Sequence, residues 1–244
     1  MTPLVFLHGL GGGHAAWDGQ VEHFGRRGYR CIAWDQPGYG GTPTVEPYTL
    51  KTVTDALELQ MGSDRVVLVG QSMGGFVAQE MYARFPDRIA ALVLAFTSPA
   101  FGGTGSQFAR QFIAARVGPL DEGKTMAQLA KALMPTLRGT KSDPQGLARA
   151  ERVMSAIPPE TYRKAVQMLT TFDRRDQLEK IAVPALLVAG SDDKIAPPSA
   201  MQSMARRIPH AEFVLLEGCG HLGPMDQPQA FNGALEDFLQ RRSP

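Results

Sequence analysis

The sequence predicts an α/β fold: a mostly parallel sheet with helices on both faces, interrupted by one all-helical insertion. Three observations lead there. Short, continuous apolar runs alternate with stretches of helical period. Much of the glycine, 26 residues in 244, falls between these segments, where tight turns need it. The alternation then stops between about 98 and 180, where every periodic stretch is helical.

Taken in order, Leu4-Val5-Phe6-Leu7 reads as the first strand and Trp17 to Arg27 as the first helix. Cys31-Ile32-Ala33-Trp34 is the second strand, followed by a helix over Leu50 to Met61. Val66-Val67-Leu68-Val69 and the helix Gly75 to Phe85 form the next pair, and Ala91 to Phe96 is a fourth strand. Ala185 to Ala189 and Phe213 to Leu216 are the last two strands, with helices over Ser199 to Ile208 and Pro228 to Arg241. All six apolar runs are expected to be buried on both faces. The interruption holds Gln107 to Val117, Thr125 to Leu137, Leu147 to Ala156 and Glu160 to Phe172, punctuated by Pro119, Pro135, Pro144, Pro158 and Pro159. The expected organisation is one globular unit. Its α/β core comprises residues 1–97 and 181–244, and residues 98–180 form a helical cap, or lid.

Composition narrows the partners. Lys and Arg total 25 and Asp and Glu 24, a net charge of +1, which gives no reason to expect nucleic acid or an anionic membrane. Two cysteines, Cys31 and Cys219, are too few for a disulfide framework and suit a reducing compartment. No segment reads as a signal peptide or a membrane span, so the expected location is cytoplasmic.

The chemistry starts at Gly70-Gln71-Ser72-Met73-Gly74, which sits between a strand and a helix. In that context Gly-x-Ser-x-Gly is a nucleophile elbow: a turn so sharp that it exposes the Ser72 hydroxyl at a helix N-terminus. A serine hydroxyl needs a base, usually histidine, oriented by a carboxylate. Of five histidines, His221 lies in the glycine-rich Gly218-Cys219-Gly220-His221-Leu222, where a loop after a strand can bend an imidazole over the sheet edge. The loop after the preceding strand, Gly190-Ser191-Asp192-Asp193, offers two acids, of which only one can orient the histidine; the other caps the turn or meets solvent. Donors for an oxyanion are expected from the Met73 N–H and from the loop His8-Gly9-Leu10-Gly11-Gly12-Gly13, with Leu10 N–H as the choice.

A rival reading of that loop is a dinucleotide fingerprint: Gly11-x-Gly13-x-x-Ala16 opens a helix, and Asp35 ends the next strand. It leaves the contexts of Ser72, Asp193 and His221 unexplained, and Asp35 in Asp35-Gln36-Pro37-Gly38-Tyr39-Gly40 fits a brace for backbone N–H groups. No cofactor and no metal is therefore expected, and neither HExxH nor paired CxxC occurs. Cys219 neighbours the base but is not expected to act as a nucleophile, since Ser72 holds the elbow.

Together these residues resemble the α/β-hydrolase superfamily nearly end to end. His8-Gly9-Leu10-Gly11-Gly12 with Trp17 looks like its oxyanion loop, and Asp35 to Gly40 like its D-x-x-G-x-G turn. Gly190-x-x-Asp193-x-x-x-Pro197 is similar to its acid motif, which selects Asp193 over Asp192. Gly218-x-Gly220-His221 matches its base motif. A looser likeness, over Ile157 to Tyr162 and Phe172 to Pro184, is to 3-oxoadipate enol-lactonases and related small esterases. The chain departs from them in lacking an N-terminal hairpin before the first strand and in carrying Gln71 where histidine is common.

The resemblance implies a serine hydrolase of a small carboxylic ester or lactone, acting through an acyl-enzyme with Ser72, His221 and Asp193. The same site could serve carbon–carbon hydrolysis or cofactor-free peracid and haloperoxidase chemistry. A ligand-binding receptor on a hydrolase scaffold is the non-enzymatic alternative. The expected partner is a small, mostly apolar molecule. The insertion supplies Phe108, Phe112, Ile113, Met126, Leu129, Leu133, Met134 and Met154 to pack with it or with one another, and Leu222 is a candidate pocket residue. Arg174 and Arg175 are candidates for a substrate carboxylate, with solvated surface the simpler reading.

Overall fold

The computed structural model describes residues 1–103 and 105–242. Thr104, inside the expected insertion, and 243–244, at the end of the expected core, lie outside the described residues.

Six strands form one parallel sheet: β1 (Leu4–Leu7), β2 (Cys31–Trp34), β3 (Val66–Gln71), β4 (Ile89–Ala95), β5 (Ala185–Gly190) and β6 (Glu212–Leu216), in the order β2-β1-β3-β4-β5-β6. The order reverses between β1 and β3, which pair with Leu7 opposite Gly70. Parallel sheets bind ligands beyond the strands' carboxyl ends at such a reversal. The His8–Gly13 loop follows β1 and Ser72 follows β3, so both stand at that point.

The helices divide between the faces because strand side chains alternate. Leu4, Phe6, Val67 and Val69 pack with Phe24 of α1 (Asp18–Gly25) and with Phe231 and Phe238 of α10 (Pro228–Arg242). Val5, Leu7 and Leu68 face the other way, onto α2 (Leu50–Met61), α3 (Met73–Arg84) and α8 (Pro198–Arg207). Between β4 and β5 lie α4 (Gln107–Asp121), α5 (Met126–Leu137), α6 (Pro144–Ser155) and α7 (Pro159–Leu169). Their apolar residues, among them Met126, Met154 and Tyr162, belong to the same continuous cluster as Val5 and Leu7. A four-residue helix, α9 (Gly223–Asp226), follows His221.

Several expectations are corrected. β2 and β6 are the sheet's edges and are only partly buried; Leu215 is 39% exposed. Pro119 does not follow its helix but sits inside the final turn of α4, while Pro135 lies inside α5 as the helix expected over Thr125 to Leu137 implies; each removes one backbone N–H from its helix. Pro144 and Pro159 begin α6 and α7, where a missing N–H has no intrahelical partner to lose.

The junction of β1 and α3 is set by backbone meeting backbone. A Cβ on Gly74 would overlap the Leu7 carbonyl. Gly74→Ala should lower unfolding free energy by at least about 1–3 kcal/mol, the ordinary range for overpacking, because neither backbone can yield. Urea unfolding checks this; a midpoint equal to that of the unaltered protein would show that the two elements can separate.

Candidate active site

Ser72 adopts φ 55°, ψ −116°, a conformation that non-glycine residues rarely hold. Neighbours hold it there. The Ser72 N–H donates to Ala95 O at 2.9 Å, and the Thr97 hydroxyl donates to Ser72 O at 2.8 Å. The hydroxyl is thereby presented above the carboxyl end of β3, at the start of α3.

His221 reaches Ser72 from the loop after β6. Its Nε2 lies 2.9 Å from Ser72 Oγ, and its Nδ1 lies 2.8 Å from Asp193 Oδ2. A carboxylate only accepts, so Nδ1 carries the proton and Nε2 is left to accept from Ser72. The other Asp193 oxygen accepts from Ile195 N–H at 2.7 Å and Ala196 N–H at 3.0 Å. Asp193 and His221 are both buried. Asp192 faces elsewhere: its carboxylate accepts from the backbone N–H and hydroxyl of Thr140, each at 2.7 Å, and those bonds hold its pKa below the ordinary carboxylate value.

Thr140 belongs to the α5–α6 connection, and that connection clamps the histidine loop. His221 N–H donates to Leu137 O at 2.8 Å, and Lys141 N–H donates to Gly218 O at 2.9 Å. Gly220 has no room for a Cβ, which would overlap the Leu137 carbonyl. Buried Asp226 accepts from the Ser142 hydroxyl at 2.7 Å and from Asp143 N–H at 3.1 Å. From the opposite side, the Gln71 side-chain amide donates to His221 O at 2.9 Å. The residue standing where histidine is common thus ties the elbow to the histidine loop.

The His8–Gly13 loop is held by a neutral imidazole. The His8 Nδ1–H donates to Gly9 O at 2.8 Å, and its Nε2 accepts from Gln36 N–H at 3.2 Å. Burial lowers its pKa from 6.5 to about 4, and the hydrogen bond to Gly9 only partly opposes this. Tyr39 hydroxyl donates to Leu10 O at 3.1 Å. Asp35 accepts from His14 N–H at 2.7 Å and lies 2.6 Å from His14 Nδ1, bracing the loop from its far end. Among the described residues, neither Leu10 N–H nor Met73 N–H donates to a protein acceptor. Leu10 lines the cavity described next, and Met73 is the first residue of α3.

A cavity of about 340 Å³ opens over Ser72 and His221 between the sheet and the inserted helices. Leu222 lines it, as do Phe108, Phe112, Met134 and Met154. Of the other apolar residues expected there, Met126 and Leu129 are packed into the core, and Ile113 and Leu133 lie against it. Arg174 and Arg175 do not reach it: Arg174 pairs with buried Glu80, and Arg175 with Asp173 at the surface. Arg116 does line it, together with Tyr162. No local signal marks either residue, because one arginine or tyrosine on a periodic helix reads as an ordinary face. Burial pushes the Cys219 thiol far up and the Cys31 thiol to about 11, which disfavours the reactive thiolate at both. Among the described residues no cluster of three metal-ligating side chains occurs, and no helix is long and apolar enough to cross a membrane.

The model of the alpha/beta hydrolase fold matches residues 2–228. The chain is 28% identical over 243 residues to 3-oxoadipate enol-lactonase 2 of Acinetobacter baylyi, covering 98% of this chain and 88% of that protein. It is 30% identical over 249 residues to a pimeloyl-[acyl-carrier protein] methyl ester esterase of Aromatoleum aromaticum, covering 97% and 98%. A thermophilic esterase from Thermogutta terrifontis, solved with malate bound, superposes with a TM-score of 0.89 at 27% identity, covering 99% of this chain and 90% of that one.

The neutral His8 predicts a loss of stability in acid. Between pH 6.5 and about 4 the unfolded chain binds a proton there that the folded chain refuses. Stability therefore rises with pH across this window, is fully present above pH 6.5 and falls by up to about 3 kcal/mol toward pH 4. His8→Asn keeps a donor for Gly9 O and removes the titration. Urea unfolding from pH 4 to 7 should show a shallower slope for the variant; parallel curves would mean that His8 takes no part.

Proposed function

The chain belongs to the alpha/beta hydrolase fold family, and within it we propose a serine hydrolase that cleaves a small carboxylic ester or lactone. One observation carries the reading: the unbroken chain of contacts from Ser72 Oγ to His221, 2.9 Å, and from His221 to Asp193, 2.8 Å. The names of its relatives, an enol-lactonase and a methyl ester esterase, support a carboxylic ester or lactone as the bond attacked.

In this mechanism His221 Nε2 takes the Ser72 proton as Oγ bonds to the carbonyl carbon. The carbonyl oxygen becomes an oxyanion, which accepts from Leu10 and Met73 N–H. Each such donor is worth roughly 10²–10³ in rate. Asp193 keeps the imidazole in the working tautomer and stabilises the imidazolium. The carbon–oxygen bond of the ester then breaks, and the leaving oxygen takes the proton from His221. A water, deprotonated by the same nitrogen, attacks the acyl-enzyme, releases the acid and restores Ser72. The reading includes the segment 98–180 as a lid over this centre, Leu222 as a pocket wall and, from two unpaired cysteines, a cytoplasmic setting.

Ser72→Ala should lower kcat on 4-nitrophenyl acetate by about 10³–10⁶ with an unchanged circular-dichroism spectrum. Asp193→Asn should lose about 10⁴, the cost of the wrong tautomer. A Ser72→Ala protein that keeps a tenth of the activity would end this assignment. Rates on a short-chain ester, a simple lactone and an enol-lactone rank the substrate classes.

A further inference from the structure

Gln71 sits between parts of the site that must keep a fixed distance. It immediately precedes Ser72 and is buried at the carboxyl end of β3. Its side-chain nitrogen donates to His221 O at 2.9 Å. A carbonyl only accepts, so this bond fixes which end of the amide is nitrogen and turns Oε1 away from the histidine. Oε1 lies against Gly9 of the loop after β1, so closely that a Cβ on Gly9 would overlap it. One side chain, next to the nucleophile, thus touches both the histidine loop and the loop expected to bind an oxyanion.

The histidine needs such a hold. Strands β3 and β6 are separated by β4 and β5, which puts them roughly 14 Å apart at the usual strand spacing. The loop after β6 has to cross that width before His221 Nε2 comes within 2.9 Å of Ser72 Oγ. Its main chain is gripped on both sides. The His221 N–H donates to Leu137 O at 2.8 Å, and the His221 carbonyl accepts from Gln71. Leu137 ends α5 in the insertion, whereas Gln71 is covalently joined to Ser72. Of these two holds, the one from Gln71 sets the base directly against the nucleophile.

On the serine-hydrolase reading, the bond between Ser72 and His221 does not last through the reaction. Once Ser72 Oγ carries the acyl group it has no proton to donate, and the imidazole loses that anchor. Nδ1 stays 2.8 Å from Asp193 Oδ2, but a single hydrogen bond lets a ring pivot about it. We propose that Gln71 is a positioning residue for deacylation. It holds the histidine main chain beside the acyl-enzyme, so that Nε2 takes a proton from water as the water oxygen bonds to the acyl carbon. The bond from that carbon to Ser72 Oγ then breaks, and the proton passes from Nε2 to Oγ. The inference rests on the serine-hydrolase reading, and its test separates the two.

Pre-steady-state hydrolysis of 4-nitrophenyl acetate resolves a burst of nitrophenolate, from acylation, and a steady rate, from deacylation. Gln71→Met keeps the length of the side chain and loses the donor. Its steady rate should fall by about 10–100-fold, the scale of loss when a reacting group is misplaced by about 1 Å. Its burst rate should fall much less, so KM falls with kcat. Equal falls in both steps would overturn the inference, as would a smaller burst amplitude with both rate constants kept, the mark of a partly unfolded protein. If Gln71→Met does not fold, Gln71→Glu, which sets an oxygen against the His221 carbonyl, is read by the same two rates. Proton NMR supplies a readout without turnover, because Ser72→Ala removes the Oγ donor as acylation does. The downfield Nδ1–H resonance of His221 should stay sharp in Ser72→Ala and broaden in Ser72→Ala/Gln71→Met; a sharp resonance in both would overturn the inference. Full activity in Ser72→Ala would remove the hydrolase reading and with it the deacylation role. Turnover that needs Ser72 but is equally slowed in both steps by Gln71→Met would remove the role of Gln71 alone.

Discussion

The site depends on backbone packed directly against backbone. Ser72 adopts its positive-φ conformation where α3 starts within contact of the end of β1, and Gly74 makes that approach possible. Gly220 does the same for the histidine loop, against the carbonyl that ends α5. These contacts are short, rigid and made of amide groups, so they set loop positions more tightly than side chains could. Hydrogen bonds then finish the placement. Thr97 fixes the carbonyl of Ser72, Gln71 holds that of His221, and two consecutive loop amides hold the far oxygen of Asp193.

What could be read from the chain follows from how local each signal is. The central strands and the turns carrying Ser72, Asp193 and His221 are written in consecutive residues: an apolar run, then glycine or aspartate. The edges of the sheet are not. Cys31–Trp34 and Phe213–Leu216 have the same apolar character as central strands, and only the strand order leaves one side of each without a neighbour. Pro119 misled for a related reason, since a proline in a last turn and a proline after a helix look alike in sequence. Gln71, Thr140, Arg116 and Tyr162 escaped because their roles arise between distant segments. The contact of Gln71 spans 150 residues and that of Thr140 spans 52.

The charged groups are sorted by depth. Arg175 and Asp173 pair at the surface, where an ion pair is worth little. Asp35, braced by His14, and the neutral His8 stand behind the loop after β1. At the cavity wall, by contrast, Arg116 has no ion pair among the described residues. Under the proposed mechanism the loops at the sheet's carboxyl ends would supply the reaction, and the inserted helices would wall the cavity above it.

These two halves are not independent. The end of α5 and its connection to α6 tie to the loops of both the proposed acid and the proposed base: Thr140 to Asp192, and Leu137 to the amide of His221. Asp226 adds a third tie on the far side of the loop, through Ser142 and Asp143. A rigid lift of all four inserted helices would therefore break the bonds that aim the imidazole. Substrate entry that leaves His221 in place must instead use a part of the insertion free of these ties.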